Sequence, residues 1–279
     1  MFKKVKGVYF SGTGTTEKIV NFCASKIAND TNLELEIIDF TKPENRKEPL
    51  VFSKEDMVVF GMPVIAGRVP NLMLKYLNKI EGGHAICMPV VLYGNRNFDD
   101  GLIELRDILE ERGLKCLCAG AFVGEHSFSK VLGAGRPDRE DFKLAEELAL
   151  KFIEISKKIE EGWVPEAHVP VPGFEKPYRE YYKPKDRYGN HIDIRKVKPK
   201  TDKNKCQDCK LCVTICPLGS IDYEDVSKIN GICMKCCGCI KKCPNGAKYF
   251  DDPGYIYHKE ELEEMYQSYS KSQIFSGEV

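Results

Sequence analysis

Cys206, Cys209, Cys212 and Cys216 form a C-x2-C-x2-C-x3-C-P run, and Cys233, Cys236, Cys239 and Cys243 repeat it 27 residues further on. Thiolates at this spacing wrap cubane iron–sulfur clusters, and in a doubled run the fourth cysteine of each copy serves the other cluster. Pro217 and Pro244 follow the fourth cysteines; a proline fixes φ and has no N–H to donate, so it ends the local turn. Both copies continue alike, as Pro-Leu-Gly-Ser and Pro-Asn-Gly-Ala, so the stretch is an internal duplication. A disulfide framework belongs to small secreted domains, and zinc prefers pairs of C-x2-C. Neither accounts for all eight positions. Cys237 lies outside the pattern and reads as a spare thiol packed beside it.

Residues 203 to 250 resemble the bacterial-type two-cluster 4Fe–4S ferredoxins. The resemblance implies two 4Fe–4S clusters, with one held by Cys206, Cys209, Cys212 and Cys243. The other would use Cys233, Cys236, Cys239 and Cys216.

A chain of 279 residues has room for a full core beside such a module. Basic and acidic residues balance at 42 each, so net charge names no partner. Outside the two runs, Cys23, Cys87, Cys116 and Cys118 sit mostly in apolar stretches and read as buried thiols. That implies a reducing, cytoplasmic setting. Met1-Phe2-Lys3-Lys4 leads straight into a strand-like run, with no signal peptide in view. The longest apolar stretch, Ala85 to Tyr93, is too short to span a membrane.

The elements ahead of the cysteines alternate. Val5–Phe10 reads as a buried strand, then comes Ser11-Gly12-Thr13-Gly14-Thr15-Thr16, then a helix with Ile19, Val20, Cys23, Ala24 and Ile27 on one face. Strand, hydroxyl-and-glycine loop, helix is a phosphate cradle: loop and helix N–H groups attract an anion and the glycines let it approach. Taken singly, such a loop is more often an ordinary βα turn. Further strands are expected at Leu33–Asp39, Met57–Gly61, Ala85–Tyr93 and Leu117–Val123. Helices are expected at Asn71–Ile80, Gly101–Arg112 and Arg139–Lys158. Such alternation implies an α/β, doubly wound parallel sheet with its ligand beyond the carboxyl ends of the strands.

This half resembles the flavodoxins, and the whole chain resembles anaerobe ferredoxins with a flavodoxin-like N-terminal domain. The resemblance implies FMN, with its phosphate on Ser11, Gly12, Thr13, Gly14, Thr15 and Thr16. Pro63, Val64, Ile65, Ala66, Gly67 and Arg68 would form the first loop at the flavin ring. Tyr93, Gly94, Asn95, Arg96 and, further on, Asp100 would form the second. The family often has an aromatic residue where Ile65 stands, so Tyr93 or Phe98 is left to stack on the ring or to serve as core. Glu125, His126 and Arg96 are candidates for proton delivery and substrate binding, against the plainer reading of structural side chains.

The expected division is a flavodoxin-like domain at 1–162, a linker at 163–200, a small α+β two-cluster ferredoxin domain at 201–255 and an acidic tail at 256–279. The linker holds Pro165, Pro170, Pro172, Pro177, Pro184 and Pro199, which stiffen it. Its tyrosines alternate with basic residues, but the better reading pins them onto the domains rather than onto nucleic acid. The tail has a short helical pattern around Leu262 and Met265, and from Ser268 it is expected to be disordered.

Flavin and clusters in one chain make an electron-transfer protein with redox partners that the sequence leaves unnamed. The alternative is a flavin-dependent reductase of a small molecule, fed by the clusters. A redox sensor would need a regulated partner, which nothing in the sequence shows. No nicotinamide fingerprint is present.

Overall fold

The protein is described here by a computed structural model covering residues 1–164 and 168–277. Pro165 lies outside the described residues. The first strand, β1 (Lys4–Tyr9), enters the glycine–threonine loop and then α1 (Thr15–Thr31). After β2 (Glu34–Asp39) come β3 (Asp56–Pro63), α2 (Asn71–Leu77), β4 (Ile86–Tyr93) and α3 (Gly101–Glu111). A two-residue β5 (Lys115–Cys116) precedes β6 (Cys118–Val123) and α4 (Arg139–Glu160). Parallel strands lie in the order β2-β1-β3-β4-β6, with β5 beside β4. This is the flavodoxin-like doubly wound sheet.

Sequence alternation decides which helix covers which face. Val8, Phe10, Val58, Phe60 and Val91 point to the side closed by Leu77 of α2 and Leu102 and Leu105 of α3. Val5, Met57, Val59, Met88 and Phe122 point to the side closed by Ile19 and Ile27 of α1 and Leu148 and Phe152 of α4. β3 and β4 are buried almost throughout, as expected of central parallel strands. Gly61 lets α1 approach, because a methyl there would run into Val20 and Thr16. α4 starts at a capping box, where the Asp138 side chain accepts from the Glu140 and Asp141 N–H groups.

The tail departs from its expected disorder. α7 (Pro253–Met265) packs through Tyr255, His258 and Leu262, while Met265 is exposed. The chain then returns as β9 (Gln273–Ser276), antiparallel to β6. The physical reason is the β6 edge: unpaired it would leave a row of backbone donors and acceptors. Ile274 and Phe275 pack on opposite faces of the sheet there, and Ser272 accepts from the Val123 N–H at 2.9 Å.

From residue 168 to 182 the connector runs over α3 and the loop before α2. Tyr178 Oη donates to Asp107, Tyr181 Oη to the Val69 carbonyl, and Tyr182 N to the Ala66 carbonyl, at 2.8 to 2.9 Å. The cysteine unit follows. Its strands β7 (Lys200–Thr201) and β8 (Lys248–Tyr249) pair antiparallel, and each cysteine run carries one short helix, α5 (Leu211–Thr214) and α6 (Gly238–Lys241).

Candidate functional site

The duplication in sequence is a duplication in backbone. Asp208 and Lys210 have left-handed φ of 52° and 60°, and Lys235 and Cys237, 27 residues on, have 58° and 58°. Gly219 and Gly246 repeat the same conformation after the prolines, at 58° and 59°. The Ser220 N–H donates to Cys216 Sγ at 3.4 Å, and the Ala247 N–H to Cys243 Sγ at 3.3 Å. Cys206, Cys209, Cys212 and Cys243 border one small cavity of about 20 Å³, which Cys239 borders as well. Cys216, although it belongs to the first run, lies close enough to Cys233 and Cys236 for its charge to act on both thiols. Among the described residues no three His, Cys, Asp or Glu side chains gather round a point that one metal ion would occupy. In a cubane each thiolate sits on its own iron.

Burial pushes the Cys236 thiol up to about 11 and the Cys237 thiol up to about 12. At Cys243 burial acts the same way, but the N–H groups of Ala247, Asn245, Lys248 and Gly246 outweigh it and hold the thiol below its usual range. Cys237 Sγ donates to the Lys235 carbonyl at 3.4 Å and lies 3.5 Å from Tyr255 Oη. It occupies the repeat position that Lys210 holds in the first run, at the start of the short helix.

The glycine–threonine loop crosses the carboxyl end of β1. Ser11 faces inward: its N–H donates to Thr41 Oγ1 at 2.8 Å, and its Oγ accepts from Gly14 N at 3.1 Å and Glu17 N at 3.3 Å. Gly14 turns the chain into α1 at φ 103°, a conformation that disfavours a side chain. The N–H groups of Gly12, Thr13, Thr15 and Thr16 have no protein acceptor among the described residues. They are the orphan donors of a helix start, ready for an anion.

Gly12, Thr13, Thr15 and Thr16 border a cleft of about 80 Å³ with Pro63, Val64, Ile65, Tyr93 and Gly94. That cleft adjoins a cavity of about 690 Å³ that takes in Ala66, Gly67 and Arg96. Three of the expected residues turn their side chains elsewhere. Arg68 pairs with Glu104 at 2.6 Å and stacks under Tyr178 and Tyr181. Asn95 donates to the Tyr266 carbonyl at 2.6 Å and the Ser268 carbonyl at 2.9 Å, tying the loop to the returning tail. Asp100 is fully buried and is held by Arg179 and the Phe174 N–H. Burial alone would raise the Asp100 pKa, but these donors keep it below the usual carboxylate range. All three answer to partners distant in sequence, which their loop positions do not reveal. Tyr93 and Phe98 pack on each other at 5.5 Å and Phe98 on Phe275 at 6.4 Å, so Phe98 is core, while Tyr93 is buried and also borders both cavities.

His126 borders both cavities, and its Nδ1 accepts from the Phe128 N–H at 3.1 Å. Burial, helped by Lys241, His258 and Arg96, pushes it down to about 4, so it is neutral and Nε2 carries the proton. Glu125 pairs with Lys241 of the second cysteine run at 3.2 Å. Arg96 pairs with Asp99 and lies over the Tyr182 ring. The sequence did not flag the opposite wall: Tyr181, Tyr182, Ile192 and Ile194 from the connector, Lys235 from the second run and His258 from α7. Only the interleaved tyrosines of the connector hinted at it.

The two sites touch. A methyl on Gly12 would lie 2.9 Å from Cys236 Cβ and 3.3 Å from its Sγ, and one on Gly238 would lie 2.5 Å from the Gly12 carbonyl oxygen. Cys236 itself borders the glycine–threonine cleft.

No family model matches the chain. A 50-residue stretch is 42% identical to the pyruvate synthase subunit PorD of Methanothermobacter marburgensis, covering 18% of this chain and 60% of that protein. The chain thus spans less than two thirds of that relative. A flavodoxin from the domain Archaea aligns over 55% of this chain and 99% of its own, at 16% identity and a TM-score of 0.40. Rubredoxin oxygen:oxidoreductase from Desulfovibrio gigas aligns over 56% of this chain and 36% of its own, at 15% identity and a TM-score of 0.41. Megasphaera elsdenii flavodoxin aligns over 52% and 98%, at 14% identity and a TM-score of 0.37. Among the described residues no helix is long and apolar enough to cross a membrane.

Proposed function

We propose that this is an electron-transfer protein that binds FMN in the cleft beyond the sheet and two 4Fe–4S clusters on the eight patterned cysteines. The observation that carries the reading is the shared wall: Gly12 of the loop packs on Cys236, which borders the same cleft. The proposed units are 1–162, 163–200, 201–255 and 256–279, the last returning a strand to the first. The 50-residue likeness to PorD fits a redox role.

The residues suit the groups they would hold. The unpartnered N–H groups and hydroxyls at Gly12, Thr13, Thr15 and Thr16 suit a terminal phosphate, and no lysine enters this loop. The cleft and cavity together fall in the range of cofactor sites. FMN supplies one- and two-electron chemistry, and iron–sulfur clusters supply single-electron steps. The chain's own part is to fix both sites against each other. The Lys241–Glu125 pair and the Gly12–Gly238 contact hold the second run on the loop.

The test is a flash reduction of the clusters under anaerobic conditions, following flavin absorbance over a dilution series. A rate independent of protein concentration supports the reading. A rate proportional to concentration overturns it. The alternative, a reductase of a small molecule, draws on one observation, the polar-rimmed cavity of about 690 Å³ beside the cleft.

A further inference from the structure

The large cavity has two unlike walls. The βα loops form one, through Val64 to Gly67 and through Tyr93, Gly94, Arg96 and Asn97. The connector, the second cysteine run and α7 form the other, through Tyr182, Ile192, Ile194, Met234, Lys235 and His258. A flavin ring laid against the loops needs only the first.

The second wall is rich in donors and poor in free acceptors. Arg195 is paired with Asp193 at 2.7 Å, taking up the acid nearest the site, and Lys183 is paired with Glu180 at 2.7 Å. Lys235 differs. Its Nζ donates to the Arg195 carbonyl at 3.1 Å and the Cys233 carbonyl at 3.0 Å, and it has no carboxylate partner among the described residues. An ammonium has three donors, so one is left for an anion. In the same cavity, Tyr182 stacks on His258 at 5.8 Å, and Ile192, Ile194 and Met234 supply apolar surface. A cation in a cavity lined by aromatic and aliphatic side chains fits a flat, apolar acid.

We infer that this wall binds a small aromatic or unsaturated carboxylate, with its carboxylate on Lys235 and its flat body between Tyr182, Ile192 and Met234. The inference rests on the reading that a flavin ring takes the loop-side wall. Lys235 also lies within the second cysteine run, between Cys233 and Cys236, where its charge would offset a cluster, so the test must separate the two roles.

The holoprotein is titrated calorimetrically with benzoate and with its uncharged analogue benzamide. Benzoate binding that is at least tenfold tighter is the expected result. Lys235→Met should remove that preference and Lys235→Arg should keep it, with iron content measured on both. Tyr182→Ala, remote in sequence from the cysteines, should weaken both probes. Equal affinity for the two probes, no binding at millimolar benzoate, or an unchanged preference in Lys235→Met would each overturn the inference. Flavin-free protein is titrated separately with FMN. If FMN fails to bind while benzoate binds, the flavin reading falls and this site stands. Release of FMN by benzoate means one shared space and overturns the inference.

Discussion

Gly12→Ala tests the shared wall directly. The added methyl would sit 2.9 Å from Cys236 Cβ and 3.3 Å from Sγ. Carbon atoms prefer about 3.5–4.0 Å, so the two surfaces must part by roughly 0.6–1.1 Å. Neither side yields easily. Gly238 of the same run lies against the Gly12 carbonyl, and Ser11, next in the chain, is fixed by Thr41, Gly14 and Glu17. Overpacking of this kind costs about 1–3 kcal/mol. Since each 1.4 kcal/mol is tenfold, the closed contact should weaken by roughly 5- to 150-fold. FMN affinity, denaturation midpoint and the flash-driven rate of flavin reduction are read together, with Gly277→Ala as a control whose methyl meets nothing within 4 Å. Gly12→Ala should lower the midpoint and slow flavin reduction while iron content holds. Wild-type values of both would refute the idea that loop and cysteine run are pressed together.

Cys216→Ala should damage the site formed with Cys233, Cys236 and Cys239, and Cys237→Ala should leave both sites loaded; iron and sulfide assays read the difference. Thr13→Val combined with Thr16→Val should weaken FMN more than riboflavin, measured by fluorescence titration of the flavin-free protein. His258 is 5% exposed, and burial, with Arg96 adding to it, pushes it down to about 4. A histidine whose folded pKa lies below its unfolded value of about 6.5 leaves the folded state with fewer protons, so stability falls as pH drops from about 6.5 towards 4. The loss approaches ~3 kcal/mol; denaturation midpoints of wild type and His258→Phe should converge over that window, and parallel curves would contradict it.

The five parallel strands were legible because buried strands of a doubly wound sheet are short apolar runs between turn residues, and each lies within a residue or two of its expected place. The expected strand from Leu117 is β6, with β5 just ahead of it, and Leu117 N between them bonds the Cys87 carbonyl at 3.0 Å. β9 was not legible. Gln273-Ile274-Phe275-Ser276 is too short to announce a strand, and only the waiting β6 edge makes it one. The cysteine spacing announced itself, since ligand position along the chain is the chemistry. For Asn95, Arg68 and Asp100 the sequence placed the loop backbone, while the side-chain partners Tyr266, Glu104 and Arg179 were not legible, because they lie far along the chain. The cavity's second wall is built from a stretch that composition described only as stiff.

The return of β9 has a consequence for how the molecule is made. The cysteine runs leave the ribosome before the strand that completes the sheet, by roughly thirty residues. At about 5–20 residues per second that interval is on the order of seconds. During it the cysteine unit is moored at one end only, and its sulfurs are open to whatever delivers iron. Once β9 pairs with β6, the chain on both sides of the unit is anchored to the sheet. Cys209 is exposed in the finished fold, so that side of the unit stays open to solvent after β9 has paired.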